Sequence, residues 1–488
     1  MRFGLIFLIT TLTCLLGGIT LLIPATASYL FQEFHAASTL LTLSTFIIGI
    51  STIMFLFLKQ HQDSLRTREM FFVTTSIWIC FSLISALPFY FLIPDLSFTN
   101  ALFESISGLT TTGATILPNL DTLPKGLLLW RSMTQWIGGI GIIIVVIMVL
   151  PALQIGGMQF FMLESSERSD RSAPRTAEIM HTIFIFFSLL TVLCSVALLF
   201  TGMSPFDALN HALTCISTGG FSTHDSNIAY FHDNPTIEWI LSAFMLLSGL
   251  PILLWPALLK KQWRFILDNE QIFTYLRFLI YSLLALTLWR LLANNIHPTQ
   301  LWDIIRNNAF HIISFVTTTG YISENYCTWG TFATLFFFFL YFTGACTGST
   351  SGGIKMFRYT IVRKILSIRF KQLIQPHGVF IARYGNRPIE QNVLMGVLVF
   401  FALFFTITAF SALLLSAFGL DILTSLSAVL SALSNIGPGL GNLIGPDKTF
   451  LFLPDAVKWI LMFNMLLGRL EFVAILILFF PFLWRKNV

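Results

Sequence analysis

Charged side chains make up only 10% of this 488-residue chain, whereas 55% of its residues are hydrophobic. That balance excludes a water-soluble protein built around one buried core. Cysteine is scarce as well. The six residues, at 14, 80, 194, 215, 327 and 346, lie mostly within apolar runs. They have neither metal-ligand spacing nor the pattern of a disulfide framework, and read as small apolar fillers. The excess of positive charge is slight, +5, and its Lys and Arg residues sit in short loops. Nucleic acid is therefore not an expected partner.

What the chain has in abundance is apolar length. Hydrophobic segments fall near 5–30, 37–58, 71–94, 126–150, 178–202, 236–259, 272–293, 330–350, 391–418 and 455–484. About 20 such residues cross a hydrocarbon core of roughly 30 Å, so the pattern is that of a polytopic, all-α membrane protein. The start of the chain, with Arg2 and an Ala25-Thr26-Ala27 motif, has the look of a secretory signal. Its apolar run is long for a signal core and a second span follows at once, which favours a retained helix.

Between some spans lie shorter, semi-polar segments near 97–110, 204–216, 300–316 and 421–434. Each opens on a helix-start signal: Asp95 or Ser97, Ser204-Pro205, Pro298-Thr299, and Asp421. A helix of ten to twelve residues is about 15–18 Å long, half a bilayer. Each segment ends in a run of hydroxyls and glycine: LTTTGAT (109–115), CISTGGFST (215–223), FVTTTGYIS (315–323) and LSNIGPGLG (433–441). Aligned on Gly113, Gly219, Gly320 and Gly437, the runs recur about every hundred residues. The expectation is four pseudo-repeats, each of span, half-helix, glycine run and span, behind two additional N-terminal spans. Their bounds are 1–65 for the extra helices, then 66–163, 164–264, 265–375 and 376–488.

Charge asymmetry orients the chain. With Arg2 cytoplasmic, the loops at 59–69, 164–177, 260–271, 353–390 and 485–488 hold most of the Lys and Arg. Lys125, Arg131 and Lys448 are the main cations of the opposite face. This positive-inside bias places both termini in the cytoplasm and sends all four half-helices in from outside.

Re-entrant backbone at membrane depth is tolerated where protein shields it or where it lines an aqueous path. Four such segments around one axis can replace the hydration shell of a monovalent cation with carbonyl oxygens. Glycine permits the backbone angles this requires, and the partially negative helix C-termini favour a cation there. Gly138, Gly139 and Gly141, in contrast, lie within a span and suit close helix packing.

The four runs, together with LPALQIGGMQFF (150–161), APRTAEI (173–179), GACTGSTSGGIKMFR (344–358) and NMLLGRLEFVAIL (464–476), resemble the Trk/Ktr/HKT superfamily of potassium transport proteins. The likeness is to the TrkH/TrkG type, over nearly the whole chain. The departure at Asn435-Ile436-Gly437-Pro438-Gly439 is shared by that type. The resemblance implies potassium as the transported ion, held in the filter by the backbone just before each glycine. Those residues are Thr111 and Thr112, Ser217 and Thr218, Thr318 and Thr319, and Asn435 and Ile436. Serine in place of the first-repeat glycine goes with sodium permeation in the family; Gly113 here implies selectivity for potassium.

Segment 343–355 is too rich in Gly, Ser and Thr to continue the span before it. The resemblance makes it an intramembrane gating loop, including Gly344, Gly348, Gly352, Gly353 and Lys355, and sets Arg469 beside it beneath the filter. A charge in mid-span is costly and marks a cavity or a partner. The basic stretch 355–373 suits anionic membrane lipids. The resemblance further implies a bacterial inner-membrane location, a homodimer, and a cytosolic TrkA-like nucleotide-binding regulatory subunit. An enzyme is not expected: THDSNIAYFHDN (223–234) holds two His-Asp pairs in an external loop and matches no metal motif, so it reads as solvated. The alternative function is a potassium symporter coupled to protons or sodium, with Glu104 and His311 as groups that could titrate or merely anchor the filter.

Overall fold

The computed structural model describes residues 3–59, 67–148, 173–252, 254–255, 261, 269–293, 300–385 and 387–480. Lys260, Arg264, Arg168, Arg171 and the 150–161 motif lie outside those residues, as do the repeat boundaries expected near 65, 163 and 264. Apart from one two-residue β ladder, Arg383–Tyr384 against Arg387–Pro388, the named secondary-structure elements of the described chain are helices.

Among the described residues, seven helical stretches are long and apolar enough to cross a membrane. They are Phe3–Leu30, Phe34–Leu58, Glu69–Leu92, Lys125–Val145, Glu178–Leu199, Glu270–Ala293 and Gln391–Ala417. Their burial sorts them: 72% of the Lys125–Val145 window is covered by protein, against 22% for Phe34–Leu58. The first is an inner helix and the second faces outward. Phe57, Phe200 and Phe46 stand exposed on such outer faces, as lipid-facing side chains do.

Three expected spans are shorter helices. Pro235–Ser248, Thr331–Leu340 and Asp455–Arg469 each stop well before the end of their apolar run. The third ends where Glu471 and Phe472 both take left-handed backbone, at φ 56°. Non-glycine residues resist that conformation, so the helix that carries Arg469 ends at that residue. Arg131 also departs from expectation. It lies within the helix Lys125–Met148, 3% exposed, rather than in an outer loop.

The half-helices form as their caps dictate. Ser97, Ser204 and Asp421 each accept a hydrogen bond from the backbone N–H three residues on, at 3.3, 3.1 and 3.1 Å. The helices run Phe98–Leu109, Pro205–Ile216, Leu301–Val316 and Ile422–Ser434. Pro298-Thr299, the expected start of the third, lies outside the described residues. All four are amphipathic and strongly buried, which only the centre of the molecule can provide.

Candidate functional site

The four half-helices end in the same way. Thr111, Thr218, Thr318 and Asn435 have φ of 52°, 53°, 57° and 53°. Their N–H groups donate to Gly108, Cys215, Phe315 and Ala432, and the next N–H in each run donates to Ser107, Thr214, Ser314 and Ser431. This is a Schellman ending with threonine or asparagine where glycine is usual. Left-handed backbone costs a β-branched residue roughly 1–2 kcal/mol, and such strain clusters at functional sites.

Two residues beyond each strained position comes a glycine with positive φ: Gly113 (80°), Gly220 (77°), Gly320 (77°) and Gly437 (105°). The second is Gly220, not Gly219 as aligned from sequence. The register of that run moves by one: Ser217 is the helix C-cap, and Thr218 and Gly219 are the pair preceding the glycine. Distance from the cap would have found it. Gly113, Gly220 and Gly437 each lie sixteen residues beyond Ser97, Ser204 and Asp421.

These glycines close a ring. A Cβ on Gly113 would lie 2.2 Å from the carbonyl oxygen of Gly219, and one on Gly220 1.9 Å from that of Thr319. On Gly320 it would lie 1.9 Å from Ile436 O, and on Gly437 2.6 Å from Thr112 O. The first run thus meets the second, the second the third, the third the fourth and the fourth the first. Each glycine is needed because a neighbour's main-chain carbonyl occupies the place of its side chain.

Behind the ring, each half-helix braces the chain leaving it. Glu104 accepts hydrogen bonds from Ile116 N–H at 2.9 Å and the Thr115 hydroxyl, and from Arg131 Nε at 2.6 Å. Arg131 reaches on to Ser222 O at 2.8 Å and stacks over Phe221. At the equivalent position of the second helix His211 Nε2 meets Ser222 Oγ, 2.9 Å away. In the third, His311 Nε2 accepts from the N–H groups of Ser323 and Glu324 while Nδ1 faces Asn307 O at 2.8 Å. A neutral imidazole satisfies that arrangement completely.

Segment 341–355 is non-helical as expected and lies against the ring. A parallel bridge between Gly344 and Lys355 closes its base. Cys346 N–H donates to Gly249 O, Ile252 N–H to Gly348 O, and Gln271 Oε1 accepts from Thr347 N–H. At its tip Gly352 N–H donates to Thr318 Oγ1 at 2.7 Å, and Thr218 Oγ1 donates to Thr350 Oγ1 at 3.1 Å. Arg469 Nη1 donates to Thr350 O at 2.8 Å. Gly353 has φ 66° and packs against Thr343 O. Arg469 does not pair with Glu471, whose carboxylate takes Arg358 at 2.6 Å and Lys355 at 3.6 Å. The strained threonines therefore join ring to loop, and Thr350 is a contact that sequence reasoning did not single out.

This arrangement has a counterpart. The TrkH family, described as cation transport proteins, matches residues 39–486. The chain belongs to the TrkH family. Among its relatives is the Trk system potassium uptake protein TrkI of Halomonas elongata, 41% identical over 90% of this chain and 89% of that protein. The Trk system potassium uptake protein TrkH of Escherichia coli K12 is 36% identical over the full length of both. The crystal structure of the potassium transporter TrkH from Vibrio parahaemolyticus superposes with a TM-score of 0.91 at 32% identity. It covers 99% of this chain and 100% of that one. The TrkH family is one of multi-pass membrane transporters, not of enzymes.

The loop read as solvated is half tied down. His232 and Asp233 are exposed, but His224 Nδ1 hydrogen-bonds Asp121 and its Nε2 lies 3.5 Å from Asp207. The ring stacks on Tyr230 with centroids 3.6 Å apart. No cluster of three metal-ligating side chains occurs among the described residues. Burial alone would lower the pKa of His224, but the carboxylates of Asp207 and Asp121 outweigh it and raise it above 6.5. A raised folded-state pKa gives stabilisation that is complete below the unfolded value and lost as pH rises through the folded one. The melting temperature of the wild type is expected to fall, relative to His224→Asn, as pH rises above about 6.5. Parallel melting profiles over that range would remove this role.

Proposed function

We propose that the chain carries potassium into the cell, dehydrating it within the ring of main-chain oxygens. The proposed ligands are the carbonyls of Thr111, Thr112, Thr218, Gly219, Thr318, Thr319, Asn435 and Ile436, with Gly113, Gly220, Gly320 and Gly437 allowing their approach. One observation carries the reading: the four glycines each accept a neighbour's carbonyl in cyclic order, so the runs surround one axis. The four half-helix C-termini add negative potential at that axis. The relatives TrkI and TrkH, both potassium uptake proteins, agree with this reading.

Segment 344–355, with Gly344, Gly348, Gly352, Gly353 and Lys355, is the proposed gate, and Arg469 its charged lock. The hydrogen bonds from the Thr218 hydroxyl to Thr350 Oγ1 and from the Gly352 N–H to Thr318 Oγ1 support that assignment, because they join the loop to the ring. A cytosolic nucleotide-binding subunit of the TrkA kind, a homodimer, and an inner-membrane location with both termini inside follow from the resemblance. The helix Met356–Ile374, buried at its first turn and exposed beyond, suits contact with anionic lipid or with that subunit. The repeats are proposed to divide at the bounds given above.

Proton-coupled symport is the weaker reading. Glu104 and His311 already spend their hydrogen bonds on bracing the filter. Flux into proteoliposomes at clamped voltage decides the matter. Potassium and rubidium are expected to pass well ahead of sodium, with no response to an imposed pH gradient. Equal passage of potassium and sodium removes the selectivity claim, and flux that needs the pH gradient establishes the symporter.

A further inference from the structure

The ring is not fourfold in its chemistry. The position after each strained residue is Thr112, Gly219, Thr319 and Ile436, so one quarter has no side chain. Thr112 Oγ1 is 2.7 Å from Thr110 Oγ1, and Thr319 Oγ1 is 2.8 Å from Thr317 Oγ1, each pair stiffening its own turn. Gly219 cannot do this. Its place is taken by Gln135, which comes from the long helix of the preceding repeat.

A Cβ on Gly219 would fall 2.3 Å from Gln135 Cδ, 2.4 Å from Oε1 and 2.7 Å from Nε2. The carboxamide is fully buried. Its Nε2 donates to Gly219 O at 2.7 Å and its Oε1 accepts from Phe221 N–H at 3.1 Å. Both ends of the amide are thus spent on fixing Gly219 to Phe221, the stretch that contains the strained glycine. Among the described residues, no hydrogen bond reaches the corresponding carbonyls of Thr112, Thr319 or Ile436.

We propose that Gln135 is a positioning residue for the second filter segment, supplying across the repeat boundary the side chain that Gly219 lacks, and that potassium discrimination depends on it. The proposal rests on the filter reading above. A buried amide bonded at both ends holds two backbone groups at a fixed separation, and a donor on Gly219 O limits how far that carbonyl can swing toward a smaller ion. Sodium, which demands a tighter shell, is the ion excluded by that restraint.

The test uses the full-length protein in proteoliposomes, comparing rubidium or potassium with sodium flux. Gln135→Ala is expected to lower the potassium-over-sodium ratio at least about tenfold. Gln135→Glu, which keeps the shape and loses the donor, is expected to do the same. Gly219→Thr alone collides with Gln135 and also loses discrimination. The double variant Gln135→Ala with Gly219→Thr recreates the pairing seen at Thr110–Thr112, with Ser217 as partner, and is expected to recover most of the wild-type ratio. A merely structural glutamine would not be rescued by a second substitution inside the filter. Wild-type discrimination in both Gln135 variants, or a double variant no better than the singles, overturns the proposal. A wild-type protein that does not discriminate fails the filter reading itself, and this proposal with it.

Discussion

Replacing Gly320 with alanine is expected to reduce potassium uptake at least about a hundredfold. Two costs combine. The residue holds φ 77°, so any Cβ brings roughly 1–2 kcal/mol of backbone strain. The larger cost is steric: the new methyl would sit 1.9 Å from Ile436 O and 2.9 Å from Pro438 Cδ. Neither neighbour is a flexible side-chain end. The carbonyl is a proposed ligand and the proline ring is fixed, so relief must come from opening the ring between the third and fourth repeats. Gly419 supplies the control. It has φ 89° with nothing within 4 Å of a Cβ, so Gly419→Ala carries the strain without the collision. Rubidium flux should persist in Gly419→Ala and be lost in Gly320→Ala; equal flux in the two would mean that closure of the ring is not what these glycines provide.

Much of this architecture is written locally and can be read locally. The half-helices announce themselves because Ser97, Ser204 and Asp421 are caps, and a cap acts within three residues. The glycine runs are equally local. What failed to show in the sequence depends on contacts between repeats. In CISTGGFST either glycine fits a pattern of hydroxyls and glycine, and what separates them is the sixteen-residue distance from the Ser204 cap, which the strained backbone of Thr218 bears out for Gly220. Hydropathy counts side chains and not dihedral angles, so it carried the last span past Glu471 and Phe472 without registering the break. Arg131 looked like an outer-face loop charge because its partner, Glu104, lies 27 residues away on another helix. Gln135 gave no signal, since an amide on an inner helix face gains meaning only from the glycine opposite it.

If segment 344–355 is the gate proposed above, Arg469→Ala is expected to raise basal potassium flux about tenfold or more. Arg469 is buried at the end of its helix, and among the described residues its Nε and Nη2 have no hydrogen-bond partner. Only Nη1 is engaged, with Thr350 O of the loop. Glu471, the nearest carboxylate in sequence, is spent on Lys355 and Arg358 and does not neutralise it. A full positive charge therefore stands where the loop meets the ring proposed as the filter. Repulsion between unit charges about 4 Å apart is of order 4 kcal/mol at an effective dielectric of 20, and falls with distance, so even a weakened field exceeds a tenfold barrier. The hydrogen bond to Thr350 is the lesser contribution, worth about 1.5–3 kcal/mol for a charged donor and available to a neutral one only in part. Substitutions separate the two. Arg469→Gln keeps a donor and removes the charge, and should leak like alanine. Arg469→Lys keeps the charge but not the fork, and should stay nearly closed. If alanine leaves basal flux unchanged, the guanidinium is no part of the barrier, and closure must rest on Thr218 and Thr318 holding Thr350 and Gly352 against the filter.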